Sequence, residues 1–365
     1  MRRKIVYITS EWFADTDINV LSELAKIYDI IWIMTINLKN PRLDIHNIKE
    51  YATVHEIDLH LVDAPYKYLD PRNLIVNWKI LKIIRYNNDV DLCIKISTQL
   101  YWLLLSWLLP QKKLVYGFHD VLMHSGIKGR KLVQSVFDVT IKYSRSCFFY
   151  SHAQHEYFLS KWKDKNTCHV GMSTKDFGEP SVKRPPIRPF VKLLFFGRIE
   201  EYKGLDLLID ALENLKERGI DNIRLSVYGT GPFWQKCLQK IRTASLYNLD
   251  IRFINNDEIP NIMEEHHFLV LPYRDTTQSG PLYIAANYSL PVLCPAYKSF
   301  MEIYNQDTAV VYQKGALEEA LLKISQMPQE EYDKKVECCH KLKEMFSKGA
   351  VSKRMATFFD KIIFA

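Results

Sequence analysis

Strand-like and helix-like segments alternate along nearly the whole of this 365-residue chain, and the alternation breaks once, between Gly178 and Pro189. That stretch holds four prolines in twelve residues, which neither a helix interior nor a central strand tolerates. Strict alternation implies parallel sheets with crossover helices. The chain is therefore expected to be α/β, with two Rossmann-like domains at residues 1–180 and 190–345. A proline-rich connector is semi-rigid and suits a hinge.

In the first half Lys4–Thr9, Asp29–Thr35, Asp91–Ile96, Lys113–Phe118 and Ser146–Tyr150 read as strands. Ile18–Tyr28, Asn73–Tyr86 and Gln99–Leu109 read as helices, and another runs to Trp162. In the second half the strands are Val191–Phe196, Ile223–Tyr228, Ile251–Ile254, Phe268–Leu271 and Pro291–Cys294. The helices are Leu205–Arg218, Pro232–Thr243, Ile259–His266 and Pro281–Tyr288, followed by a helical tail. Residues 346–365 contain an amphipathic segment, Val351–Ile363, expected to cross back to the first domain.

Hydrophobic residues make up 47% of the chain and charged residues 25%, which is globular composition and excludes a disordered chain. The longest apolar run, Leu100–Leu109, ends at Pro110. Ten residues at helical rise reach about half of a bilayer core, so a buried helix is expected and any membrane attachment would be peripheral. Met-Arg-Arg-Lys at the start precedes an apolar run that stops at Thr9, which reads as a first strand and not as a signal segment. The seven cysteines include no Cys-x-x-Cys pair, so reduced thiols in a cytoplasmic setting are expected. The net charge of +7 is uneven: residues 1–190 hold 27 Lys and Arg against 19 Asp and Glu. An excess confined to one half suits an anionic surface, although a plain solvated face has the same pattern.

Three segments of the second half carry the densest chemistry. In Phe195-Phe-Gly-Arg-Ile-Glu-Glu-Tyr-Lys-Gly-Leu-Asp206 a strand ends at Gly197, and Arg198 and Lys203 lie in the loop before the next helix. Ligands of open α/β sheets bind outside the strand carboxyl ends, and these two cations suit phosphate oxygens. In Val227-Tyr-Gly-Thr-Gly-Pro232, Gly229 and Gly231 form a turn whose backbone is able to approach a ligand. It is not Gly-x-Gly-x-x-Gly, so no dinucleotide fingerprint is present. In Leu271-Pro-Tyr-Arg-Asp-Thr-Thr-Gln-Ser-Gly-Pro281, Pro281 suits a first helical position with Ser279 or Gly280 at the cap. That places amides at a helix start, an anion site, where Asp275, Gln278 and Ser279 are able to add sugar or phosphate hydrogen bonds. Each segment alone also fits surface cations, a plain turn or an ordinary capped helix.

Taken in order, these segments resemble the second half of the retaining GT-B glycosyltransferases of family 4, and the likeness extends over nearly the whole chain. The resemblance implies two Rossmann-like domains facing a central cleft, a nucleoside-diphosphate-sugar donor, and diphosphate-binding roles for Arg198 and Lys203. Asp91-Leu-Cys-Ile-Lys-Ile96 and Lys113-Leu-Val-Tyr-Gly-Phe-His-Asp120 resemble the family's strand–helix–strand leading to a cleft histidine. His119 is then placed to contact the donor sugar or orient the acceptor, with Asp120 supporting it or accepting a proton. A cap-and-turn pair is the alternative. The loop Ser10–Asp17, with its rings, is expected to form the other wall. One departure stands out. Where most members carry a pair of glutamates, alignment on Leu271-Pro272 and Leu290-Pro-Val292 puts Thr276 and Ile284.

The expectation is a glycosyltransferase of bacterial surface polysaccharide or glycolipid synthesis, with a saccharide or glycolipid acceptor. No cofactor or metal is expected, since no Asp-x-Asp motif occurs and cations already face the phosphates. A peripheral contact with the inner face of the membrane through the basic first half is kept open, and no nucleic-acid partner is expected. The rivals are an inactive nucleotide-sugar-binding or scaffold protein and a nucleotide-sugar epimerase on the same fold.

Overall fold

The computed structural model describes residues 2–67, 70–87, 89–96, 108–109, 111–119, 121, 130–275 and 279–364. Two compact units emerge, Met1–Ser173 with Lys348–Ala365, and Thr174–Ser347.

The first unit is built on β1 (Arg3–Ser10), β2 (Tyr28–Ile36), β3 (Asp58–Asp63), β4 (Leu92–Ile96), β5 (Leu114–Phe118), β6 (Ser146–Phe149) and β7 (Asn166–His169). Their order is β3-β2-β1-β4-β5-β6-β7, and the ladders are parallel, as between Val6 and Cys93 or Val6 and Ile31. Central strands such as β4 and β5 are buried along their whole length, the mark of a parallel sheet covered on both faces. The Lys348–Ile363 helix belongs to this unit. It packs on the Ala14–Leu24 helix and is pinned by hydrogen bonds that include Tyr28 OH to Asp360 (2.7 Å) and to the Ala356 carbonyl (3.2 Å), Ser352 Oγ to the Val20 carbonyl (3.2 Å) and Arg354 Nε to the Val170 carbonyl (2.7 Å).

The second unit repeats the plan with β8 (Val191–Phe196), β9 (Ile223–Tyr228), β10 (Tyr247–Asp250), β11 (Phe268–Val270), β12 (Val292–Pro295) and β13 (Ala309–Tyr312). Their order is β10-β9-β8-β11-β12-β13, again parallel. This is the doubly wound Rossmann order, in which the chain reverses its direction of travel between β8 and β11. Leu205, Leu208, Leu212, Leu321 and Ile324 fill one face of that sheet.

Several boundaries differ from the sequence reading. The first helix spans Ala14–Leu24, because buried Tyr28 is drawn into β2. The helix expected at Pro232–Thr243 shrinks to Trp234–Leu238. The amides of Arg242 and Thr243 donate instead to the buried Glu213 carboxylate, at 2.9 and 3.0 Å, which ends it. The strand expected at Ile251–Ile254 lies earlier, at Tyr247–Asp250, in register with β9. The edge strands β3, β7 and β13 were not expected: β3 interleaves Leu59, Leu61 and Val62 with Asp58, His60 and Asp63, β7 has four residues, and β13 lies in the stretch read as a helical tail. Most of Gln99–Leu109 lies outside the described residues. The proline stretch is strapped to the second unit. Arg184 binds Glu264 (2.9 Å) and two carbonyls, Arg188 caps the Ser325 and Met327 carbonyls, and Ile187 is fully buried.

Candidate functional site

In the second unit three elements meet at the carboxyl end of β8, beside the switch between β8 and β11. Strand β8 is held straight to its end by Gly197 N–H, which donates to the Tyr228 carbonyl at 2.9 Å. Gly197 then adopts φ +104°, a conformation that favours glycine. A Cβ there would stand 3.5 Å from Lys203 Nζ and 3.9 Å from Pro281 Cγ. The strand end, the turn carrying Lys203 and the start of the Gly280–Asn287 helix thus converge on one point.

The turn Glu201–Lys203 is fixed from both sides. Gly204, at φ +69°, comes so close to the Pro272 carbonyl oxygen that a Cβ would lie 2.0 Å from it. Arg274, just past β11, donates its amide to the Tyr202 carbonyl (2.7 Å) and its guanidinium to the Glu201 carbonyl (2.6 Å). Tyr297 OH donates to the Arg274 carbonyl at 2.7 Å and closes the set.

Lys203 is the unusual group of this site. It is 8% exposed, and among the described residues its ammonium has no hydrogen-bond or ion-pair partner. Its nearest aromatic is the Tyr273 ring, 5.7 Å from Nζ to centroid. Burial pulls its pKa down to about 8, partly offset by Glu200 and reinforced by Arg198. Arg198 has a 72% exposed side chain paired with Glu200. A buried cation held without an anion is a costly arrangement, and it leaves the Lys203 charge available to an incoming anion.

The Gly280–Asn287 helix begins at Ser279, whose side chain does not cap it. The Ser279 hydroxyl lies 3.3 Å from the Tyr273 hydroxyl instead. Beside Gly280 the space a Cβ would take is open. An uncapped helix start carries partial positive charge, here on the same point as Lys203. Asp275 is exposed at the rim. Gln278 and Thr276 lie outside the described residues. Ile284 is buried inside the helix and offers no polar group.

Gly229 and Gly231 act differently from the sequence reading. A Cβ at 229 would fall 2.0 Å from the Gly197 carbonyl oxygen, and one at 231 would fall 2.1 Å from that of Ile199. The close approach they permit is to the 197–199 loop, which they support from behind. Sequence reasoning assigned nothing to Arg274, although a charged residue four positions past a buried strand was a readable signal.

In the first unit His119 follows β5 and is sandwiched between Phe13 (centroids 4.4 Å apart) and Tyr150 (4.0 Å), both nearly parallel to it. Asp120 lies outside the described residues. Beneath Phe13 the fully buried Asp17 accepts from Tyr7 OH at 2.8 Å and Thr9 Oγ1 at 2.6 Å. Burial drives its carboxyl up to about 7 against the pull of those two hydrogen bonds. Trp12 is exposed, with the Arg42 guanidinium 3.3 Å above its ring.

Comparison with known proteins bears on both units. Residues 191–327 match the family described as glycosyl transferases group 1. A GDP-mannose:glycolipid 4-beta-D-mannosyltransferase of Xanthomonas campestris pv. campestris is 26% identical over 109 residues, which are 28% of this chain and 30% of that protein. The chain thus spans about 30% of the length of the curated relatives it matches. Sucrose-phosphate synthase from Thermosynechococcus elongatus superposes with a TM-score of 0.69 at 13% identity, covering 100% of both chains. A UDP-N-acetylglucosamine 2-epimerase superposes at 0.60 and 11% identity, covering 98% of this chain and 95% of that one. The fold is the GT-B type, which transferases and epimerases share.

Proposed function

We propose that this chain, whose second unit carries a group 1 glycosyl transferase domain on a GT-B fold, moves a sugar from a nucleoside diphosphate to an acceptor hydroxyl. The observation that carries the reading is Lys203: a buried ammonium with no ion-pair partner among the described residues, facing Gly197 and the start of the Gly280–Asn287 helix, which the Ser279 side chain does not cap. That arrangement fits a diphosphate at the switch of an open α/β sheet.

In the reaction the anomeric C–O bond to the β-phosphate breaks, charge builds on the departing diphosphate, and the acceptor oxygen forms the new bond as its proton passes to Asp120 or to the departing diphosphate. Lys203, Arg198 and the amides near Ser279 and Gly280 offset that charge. Losing one such donor typically costs about 3–4 kcal/mol in the barrier. Their charge makes a metal ion unnecessary, and turnover undiminished in chelator is the corresponding expectation. Asp275 and Gln278 are assigned to the donor, His119 and Asp120 to the sugar or acceptor. Retention at the anomeric carbon rests on the resemblance to family 4.

The acceptor is read as a saccharide or glycolipid, and the enzyme as cytoplasmic and peripheral to the membrane through its basic first unit. Among the described residues no helix is long and apolar enough to cross a membrane.

The test is the double variant Arg198→Ala with Lys203→Ala, assayed with UDP-, GDP-, ADP- and CDP-sugars first screened by thermal shift. Turnover equal to the parent's removes the basis for this site. One observation favours a second reading, an inactive binding protein: Ile284 is buried and apolar at a position where the resemblance to family 4 implies a glutamate. Calorimetric binding without transfer to a broad acceptor set supports that reading instead.

A further inference from the structure

The Asn73–Tyr86 helix of the first unit buries Val76, Ile80 and Leu81. Its outward face is not the polar surface expected of a helix on a soluble sheet. Ile75 is 52% exposed, Trp78 62% and Tyr86 90%, with Leu74 beside them. Between these side chains stand Lys79, Lys82 and Arg85, and the helix has no acidic residue. Lys82 Nζ lies 5.7 Å from the Trp78 ring centroid.

Two grooves run along this helix and share Leu81, Arg85 and Asn87. One, of about 950 Å³, lies toward β3, between Trp78, Lys82, Tyr86 and Leu61. The other, of about 670 Å³, passes Leu108, Lys112 and Arg145. Among the described residues Lys79, Lys82, Arg85 and Lys112 have no carboxylate within ion-pair distance. Asp63 lines the first groove, but its Oδ1 already accepts from the Leu38 amide at 3.1 Å.

We infer that this face docks on an anionic lipid surface, with Trp78, Ile75 and Tyr86 entering the headgroup layer and the cations pairing with phosphates. The inference deepens the peripheral-membrane part of the proposed function and rests on it. A helix with aromatic and aliphatic side chains at one level and long cationic stems around them has the composition of an interfacial helix. Protein interfaces, by contrast, are depleted in lysine. Each unpaired cation near an anionic leaflet strengthens binding severalfold.

The test uses the full chain with vesicles of phosphatidylglycerol and phosphatidylcholine, or phosphatidylcholine alone, in a sedimentation assay at low salt. The parent is expected to bind the anionic vesicles and not the zwitterionic ones. Lys79→Gln with Lys82→Gln and Arg85→Gln is expected to weaken binding about a hundredfold. Ile75→Ser with Trp78→Ser should also weaken it, with melting temperature and helix content unchanged in both variants. Binding by both variants as tight as the parent's overturns this face while leaving membrane attachment elsewhere on the chain. No binding by the parent overturns both. Loss of a dimer in the Ser variant, seen by analytical ultracentrifugation, makes the face a self-interface and overturns the inference as well.

Discussion

Arg274 grips Asp206 with two parallel hydrogen bonds, Nη1 to Oδ1 at 2.9 Å and Nη2 to Oδ2 at 2.7 Å. The pair joins the chain leaving β11 to the first turn of the Leu205–Glu217 helix, so both ends of the Lys203 turn are tied to the same guanidinium. Burial pushes the Asp206 carboxyl up, but the Arg274 bonds outweigh it and hold the group below the ordinary carboxylate range. The geometry is the bidentate one that lysine cannot reproduce.

Arg274→Lys is therefore expected to lower stability by about 1–2 kcal/mol, the partial exposure of the pair limiting the loss. Donor KM should rise as the Lys203 turn loosens, with a smaller change in kcat. Urea unfolding and steady-state kinetics check both. A variant as stable as the parent with unchanged KM means the pair positions nothing.

Lys203 links donor affinity to pH. With its pKa held near 8 by burial, the free protein loses this proton as pH rises through 8, whereas a bound diphosphate keeps it on. Above pH 8, Kd for the donor should climb about tenfold per pH unit, with proton uptake on binding detectable by calorimetry in buffers of different ionisation enthalpy. A flat Kd between pH 7 and 9.5 removes Lys203 from the anion site.

The same group sets stability in the opposite sense. An unfolded lysine titrates near 10.4, so between pH 8 and 10.4 the unfolded chain binds more protons and folding gains stability as pH rises. Lys203→Met should raise stability at pH 7 by about 1–3 kcal/mol while abolishing donor binding. Thermal melts of both proteins with and without nucleotide decide this.

Gly204→Ala and Gly231→Ala each drive a Cβ into a backbone oxygen, that of Pro272 at 2.0 Å and that of Ile199 at 2.1 Å. The first also strains a left-handed backbone. Each is expected to cost about 2–4 kcal/mol, whereas Gly280→Ala, beside open space, should change stability by less than about 1 kcal/mol. Equal melting temperatures for all three variants contradict the packing described.

Asp17, raised to about 7 in the folded protein and near 3.9 when unfolded, gives the reverse pH slope. The folded state binds the extra proton between pH 4 and 7, so its contribution is present in acid and is lost as pH rises through 7. The parent minus Asp17→Asn difference should fall by roughly 2–3 kcal/mol from pH 5 to pH 8. Denaturant titrations at four pH values measure it, and a constant difference refutes the shift.

Local composition settled much of this chain. The alternation of mostly apolar strands with amphipathic helices already specified two parallel α/β sheets, because central strands are largely apolar and each crossover helix shows one apolar stripe. The motif around Gly197–Lys203 and the start of the Gly280–Asn287 helix were readable for the same reason: turn chemistry is local. What local pattern could not reach was decided by long-range packing. Edge strands β3 and β7 mix polar with apolar residues because they are only partly buried. The helix after Gly231 stops early because Glu213, thirty residues away along the folded core, takes the amides of Arg242 and Thr243. Only the tertiary structure turned Gly229 and Gly231 into a backrest for the 197–199 loop. It also gave Arg274 its hold on Asp206 and left Lys203 buried with no ion-pair partner among the described residues, since each depends on distances between segments that sequence spacing does not encode.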